Sequence, residues 1–203
     1  MSVSETIVRE FFELHGFLVH QRRKYVASVA RDDEEIDFLV LNPQPAPDDT
    51  ALPLVLEAAD LRRVRRAMVV VKGWHTETFS PSRLASSPEI FRFVKPGILK
   101  QGRQFFGGDE PLTRILVVPA LPEDPEARTQ SLDLLRSKGV DAVIPFRTLL
   151  AGLVQHTEVN RNYTKSDLLQ IIRVLKNYGF LRDSQLELFK PRRRREQAAR
   201  AGQ

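Results

Sequence analysis

The chain has 203 residues, 42% of them hydrophobic, enough for one well-buried core with an appended element. It contains no cysteine, which removes disulfides, thiolate catalysis and cysteine-ligated zinc and makes a reducing compartment the default. The net charge of +5 sits in residues 190–203, where Lys190, Arg192, Arg193, Arg194, Arg195 and Arg200 stand against Glu196, so the rest of the chain is formally neutral.

Residues 4–15 carry Ile7, Val8, Phe11 and Phe12 on one helical stripe, and Gly16 follows where a helix end favours a left-handed residue. Two strands are predicted next, over 17–27 and 35–41, the second reading Glu-Ile-Asp-Phe-Leu-Val-Leu. Four prolines between Asn42 and Pro53 make that stretch a loop. A short helix after Asp60 is expected to turn Leu61 and Val64 inward, with Arg62, Arg63, Arg65 and Arg66 around it. Ala67–Val71 is a buried strand that ends at Lys72, Gly73 and Trp74.

Helical stretches are predicted around 88–94 and 98–106, then a strand over 114–118. A helix follows over 125–138, closed by Gly139, then a strand over 140–144 and a helix from Thr148 to about Val154. The alternation of strand and helix argues for an α/β sheet covered on both faces. The last helix, capped by Ser166, carries Leu168, Leu169, Ile171, Ile172, Val174 and Leu175 almost all round, so it is expected to be buried in this domain or against a homodimer or protein partner through residues 166–178. The expected division is an α/β domain over 1–157, a helical extension over 158–189 and a basic disordered tail over 190–203. No apolar run approaches a membrane span and the first residues lack a signal-peptide pattern, so a cytoplasmic protein without a membrane partner is expected.

Side chains alternate along a strand, so Asp37, Leu39 and Leu41 share one face of the second strand, and Met68, Val70 and Lys72 share one face of the third. A Glu-bearing helix, a strand, a strand with an acid and a strand ending in lysine together resemble the PD-(D/E)XK nuclease superfamily. The order is closest to that of the archaeal Holliday-junction resolvases and the Mrr-like restriction nucleases. Glu5 precedes Gly16-Phe17 by the spacing of the resolvase glutamate. Asp37 matches the acidic residue and Lys72 in Val70-Val71-Lys72 the terminal lysine, while Val70 stands where the family has Glu or Asp.

The resemblance implies a restriction-endonuclease-like αβββαβ core with a mixed sheet, Mg2+ or Mn2+ as cofactor and a nucleic-acid substrate, with DNA the first expectation. It assigns catalysis to Glu5, Asp37 and Lys72, and metal binding to Asp37 and the Val71 carbonyl. Glu57 could supply the missing carboxylate from the long insertion between the second and third strands. Arg192, Arg193, Arg194 and Arg195 would add non-specific affinity for phosphates.

Structural readings stand beside these. Ser2 and Glu5 have the spacing of a capping box, and a salt bridge between Asp37 and Lys72 would satisfy the acid without a metal. The arginine cluster reads equally as a solvated face, and the tail as a solvated terminus. His75, Glu77 and Trp74 lie just past Lys72 and could line the same mouth. Two functions follow from different classes: a metal-dependent nuclease with a variant site, and an inactive nuclease-like module for binding or assembly.

Overall fold

A computed structural model describes residues 2–22, 36–47, 51–108 and 110–181. Helix α1 spans Val3–Leu14, and Ser2 caps it. Gly16, with φ of 82°, ends it in the left-handed conformation that a side chain would resist. Strands β1 (Leu18–Gln21), β2 (Phe38–Leu41) and β3 (Arg66–Val71) follow. A 3-10 helix over Ala58–Arg63 precedes β3. Beyond β3 come helix α2 (Pro81–Ser86), a 3-10 helix over Pro88–Val94 and helix α3 (Pro96–Phe105). The chain continues through β4 (Thr113–Val118), α4 (Pro125–Ser137), β5 (Ala142–Pro145), α5 (Phe146–His156) and α6 (Asp167–Asn177).

The strands form one five-stranded sheet in the order β1-β2-β3-β4-β5. The first three pair antiparallel, whereas β4 and β5 join in parallel after helical crossovers. Alternation sorts the core onto two faces. Phe38, Val40, Ala67, Val69, Ile115, Val117, Ala142 and Ile144 face α1, α5 and α6. Leu39, Met68, Val70, Leu116, Val118 and Val143 pack with residues of α2, α3, α4 and the 3-10 helix over Pro88–Val94. The sheet is therefore mixed and covered on both sides. No helix among the described residues is long and apolar enough to cross a membrane.

Several expectations shift. The second strand starts at Phe38, one residue after Asp37, and the first ends at Gln21, with residues 23–35 outside the described ones. Helix α2 was not expected; Ser80 accepts the Arg83 N–H and Pro81 occupies the first turn, a start signal too brief to show periodicity. The insertion after β2 does not simply loop back. Its Leu56 N–H donates to the Val143 carbonyl at 2.9 Å and its Leu54 carbonyl accepts the Val143 N–H at 2.6 Å, so it lies along the outer edge of β5 and pairs that edge.

The last helix departs most. Leu169 and Ile172 join the same core as α1 and α5, but Ile171, Val174 and Leu175 face outward. The periodicity was too broad to show which side would be covered.

Candidate functional site

The end of the sheet where β2 begins and β3 finishes holds the sequence-derived acid and amine. Phe38 lies opposite Val69 and Leu39 opposite Met68. One step back, the Asp37 N–H donates to the Val69 carbonyl at 3.2 Å. Its carboxylate Oδ2 accepts the Val71 N–H at 2.7 Å. The ladder has run out there, and the side chain supplies the acceptor that the next strand residue would have offered. Asp37 precedes the paired residues of β2 and Lys72 follows those of β3; Ile36 packs with Leu39 and Val70 and not with Phe38, so the two-residue alternation of β2 does not run back through Asp37. Lys72, whose main-chain N–H still reaches the Val117 carbonyl at 3.0 Å, is half-buried as the chain leaves the sheet. Asp37 and Lys72 therefore stand at the same end of neighbouring antiparallel strands. One carboxylate oxygen of Asp37 is held by β3's main chain.

Glu5 is placed differently. It completes a capping box: its N–H donates to Ser2 Oγ at 3.2 Å, and its Oε2 accepts the Ser2 N–H at 3.1 Å. The same Oε2 accepts Gln21 Nε2 at 3.3 Å. Gln21 lies opposite Phe38, so this contact ties Glu5 to the sheet face covered by α1. Glu57 is farther away still. It precedes the 3-10 helix beside the segment that pairs with β5, its N–H donates to Asp60 Oδ2 at 2.9 Å, and β5 stands three strand spacings, roughly 14 Å, from β2.

Residues past Lys72 brace the fold. Ser4 Oγ and His75 Nε2 lie 2.8 Å apart, and the His75 ring meets Phe146 edge-on with centroids 4.5 Å apart. A Cβ on Gly73 would come within 2.5 Å of Ser4 Oγ, so only glycine lets α1 approach this closely. Trp74 packs on Phe79, and the Arg83 guanidinium lies 5.1 Å from its ring centroid. Glu77 pairs with Arg83 at 3.4 Å. No spacing in the chain signals the Ser4–His75 contact, whose members are 71 residues apart.

The arginine cluster also has partners. Arg63 reaches the Ala51 carbonyl at 2.9 Å and Asp60 at 3.6 Å. Arg65 and Arg66 lie 3.7 and 3.2 Å from Glu110. Arg192, Arg193, Arg194 and Arg195 lie outside the described residues.

Among the described residues the donor set falls short of what the resident divalent cation implied by the resemblance requires. Mg2+ and Mn2+ need an array of oxygen ligands at fixed geometry. Here one oxygen of Asp37 is committed to Val71, Glu5 is committed to its cap and to Gln21, and the position of the second carboxylate is Val70, 2% exposed in the core. Among the described residues no three His, Asp or Glu side chains gather as a metal site requires.

Comparison with protein-family models, characterised proteins and solved structures finds no match to this chain.

Two further features lie away from this end of the sheet. An open cleft of about 670 Å³ along α3 is lined by Leu99, Lys100, Arg103, Gln104, Gly107 and Gly108. At the C-terminal ends of α1 and α5, the His15 and His156 rings meet with centroids 4.9 Å apart, each Nδ1 donating to a carbonyl one turn back, Phe11 at 2.7 Å and Gly152 at 2.9 Å. Burial lowers the His15 pKa below its usual range, the Phe11 carbonyl opposes that shift, and His156 adds to it.

Proposed function

We propose that the chain is a nucleic-acid-associated protein built on the PD-(D/E)XK plan, and that its site binds a phosphate backbone without hydrolysing it. Three features support the reading. The order α1-β1-β2-β3, with β4 added in parallel to β3 after a helical crossover, is compatible with the αβββαβ arrangement the resemblance implies. Asp37 and Lys72 stand at the same end of neighbouring strands, a placement compatible with the acid and lysine of that superfamily. The carboxylate between them is replaced by a valine whose side chain belongs to the core, so reactivation would need a charge where apolar packing now sits.

The observation that carries the non-hydrolytic reading is the 2.7 Å bond from the Val71 N–H to Asp37. A carboxylate that closes a strand pair has a structural task, and its retention needs no metal. Hydrolysis would require a cation to lower the pKa of water and an amine to meet the developing charge. Of these, the described residues supply the amine. Lys72 alone suits contact with a phosphate as a point charge.

The test is a plasmid, branched-DNA and RNA cleavage assay with Mg2+ and Mn2+, run beside Asp37→Ala and Lys72→Ala, together with binding measured across a salt series. The expected result is no metal-dependent cleavage by any of the three proteins, with salt-sensitive binding that Lys72→Ala weakens about two- to tenfold. Metal-dependent cutting by the wild type that Asp37→Ala abolishes would return the site to catalysis. Binding that is absent at low salt would remove nucleic acid as the partner.

A further inference from the structure

Helix α6 carries its charges and its apolar residues on the sides opposite to those a surface helix ordinarily gives them. Arg173 Nε donates to the Val159 carbonyl at 2.9 Å, and Lys176 Nζ donates to the carbonyls of Val154 and Thr157 at 3.1 and 2.8 Å. Both cations therefore turn toward the body of the protein, where Lys176 satisfies carbonyls at the C-terminal end of α5. The outward side is left to Ile171, Val174, Leu175 and Tyr178, spaced i, i+3, i+4 and i+7, which form one continuous stripe. Ile171 is 57% exposed and Tyr178 73%. Past Gly179, whose φ of 75° turns the chain, the Phe180 N–H bonds back to the Leu175 carbonyl at 2.9 Å and leaves the Phe180 ring 78% exposed beside the stripe.

We infer that this stripe is the interface with a second copy of the chain, formed by two α6 helices packed antiparallel about a two-fold axis near Val174 and Leu175. That axis sets Ile171 of one copy against Tyr178 of the other, so apolar meets apolar along the whole stripe. The choice of a second copy rests on charge and on area. Gln170 and Asn177 flank the stripe with neutral side chains, the exposed acid Asp167 lies a turn beyond Ile171 and two turns from the two-fold axis, and the cations that would repel their own images are turned away. The five exposed side chains offer roughly 600 Å² per copy, near the 800 Å² or so that each partner contributes to a standard interface. An interface of that size, built around two aromatic anchors and with little to desolvate, gives a dimer with Kd on the order of micromolar. The inference stands independently of any nucleic-acid binding.

Sedimentation equilibrium of the full-length chain over a concentration series tests it. A mass rising to twice that of one chain is expected. Ile171→Glu and Tyr178→Ser should each weaken the dimer at least about tenfold without changing the circular dichroism spectrum, because both residues are exposed in the single chain. Lys138→Glu, on an exposed helix end elsewhere, should leave the mass series unchanged. A chain that keeps single-chain mass up to about 100 μM overturns the inference, as does a dimer that survives both stripe substitutions. Single-chain mass together with exclusion of an apolar dye would assign the cover of the stripe to this chain's own residues after Leu181, and would overturn it too.

Discussion

Helices α1 and α6 both read as apolar in sequence, and both pack on α5, yet they meet solvent in opposite ways. Helix α1 buries Ile7, Val8, Phe11 and Phe12. Its cap, Arg9 and Glu13 occupy the remaining sides, while Glu10 is buried and paired with Arg9 at 3.1 Å. Helix α6 buries only Leu169 and Ile172, spends its two cations on inward contacts, and leaves Ile171, Val174 and Leu175 outside, with Tyr178 at its C-cap. Apolar periodicity says how wide an apolar surface a helix has; which part is covered depends on what stands opposite. For α1 that is the sheet and α5, where Gly152 removes a side chain so that the Phe11 ring can seat: a Cβ there would lie 2.6 Å from Phe11 Cε2. For α6 the opposing surface is narrow, and half of its apolar side finds no cover within the described residues.

The sharpest way to break this comparison is to truncate one residue from each helix. Phe11→Ala should cost about 3–5 kcal/mol in urea unfolding, since its ring is enclosed by Phe12, His15 and the glycine notch. Ile171→Ala, measured below the concentration at which copies associate, should change stability by less than about 0.5 kcal/mol. Comparable losses at the two positions would mean that the outer side of α6 is covered within the single chain.

A smaller effect probes the inward cations. Lys176→Met keeps the aliphatic stem but leaves the Val154 and Thr157 carbonyls without their charged donor, and should destabilise the fold by about 1 kcal/mol. Unchanged stability would show that water replaces the ammonium there without loss. The finest distinction is one of pH and belongs to the α1 side. Burial holds the folded His15 pKa below its ordinary value of 6.5, so below that pH the unfolded chain takes up more protons than the folded one. The contribution of neutral His15 is therefore fully present above about pH 6.5 and is lost as pH falls toward the folded value. Melting temperature should fall from pH 7 to pH 5, and His15→Gln should make that slope shallower. A slope that the substitution leaves untouched would place the titrating group elsewhere.

Much of the architecture is local and was legible. The helical stripe of α1, the apolar runs of β3 and β4 and Gly139 after α4 all follow from short-range spacing. The site was legible only in part. Asp37 and Lys72 stand at one end of neighbouring strands, as the antiparallel order requires, but the expected grouping of Ile36 with Phe38 and Val40 fails because Ile36 packs with Leu39, so strand alternation does not determine the face of Asp37. The Glu5 assignment rested on its distance from Gly16-Phe17, but side-chain direction depends on what the first turn touches. In the fold it is taken up by Ser2 and Gln21. Glu57 was placed near the other residues by its position between two neighbouring strands, whereas the chain between those strands travels to the far edge of the sheet before returning.

From its sequence alone this protein is an α/β chain with its strands and most of its helices in known order, because periodicity and end signals act over a few residues. The tertiary structure decided the rest: that Asp37 closes a strand pair, that Ser4 meets His75, that the insertion protects β5, and that α6 turns its charges inward. Each of these is a contact between segments distant in the chain, and its geometry exists only once the layers have packed.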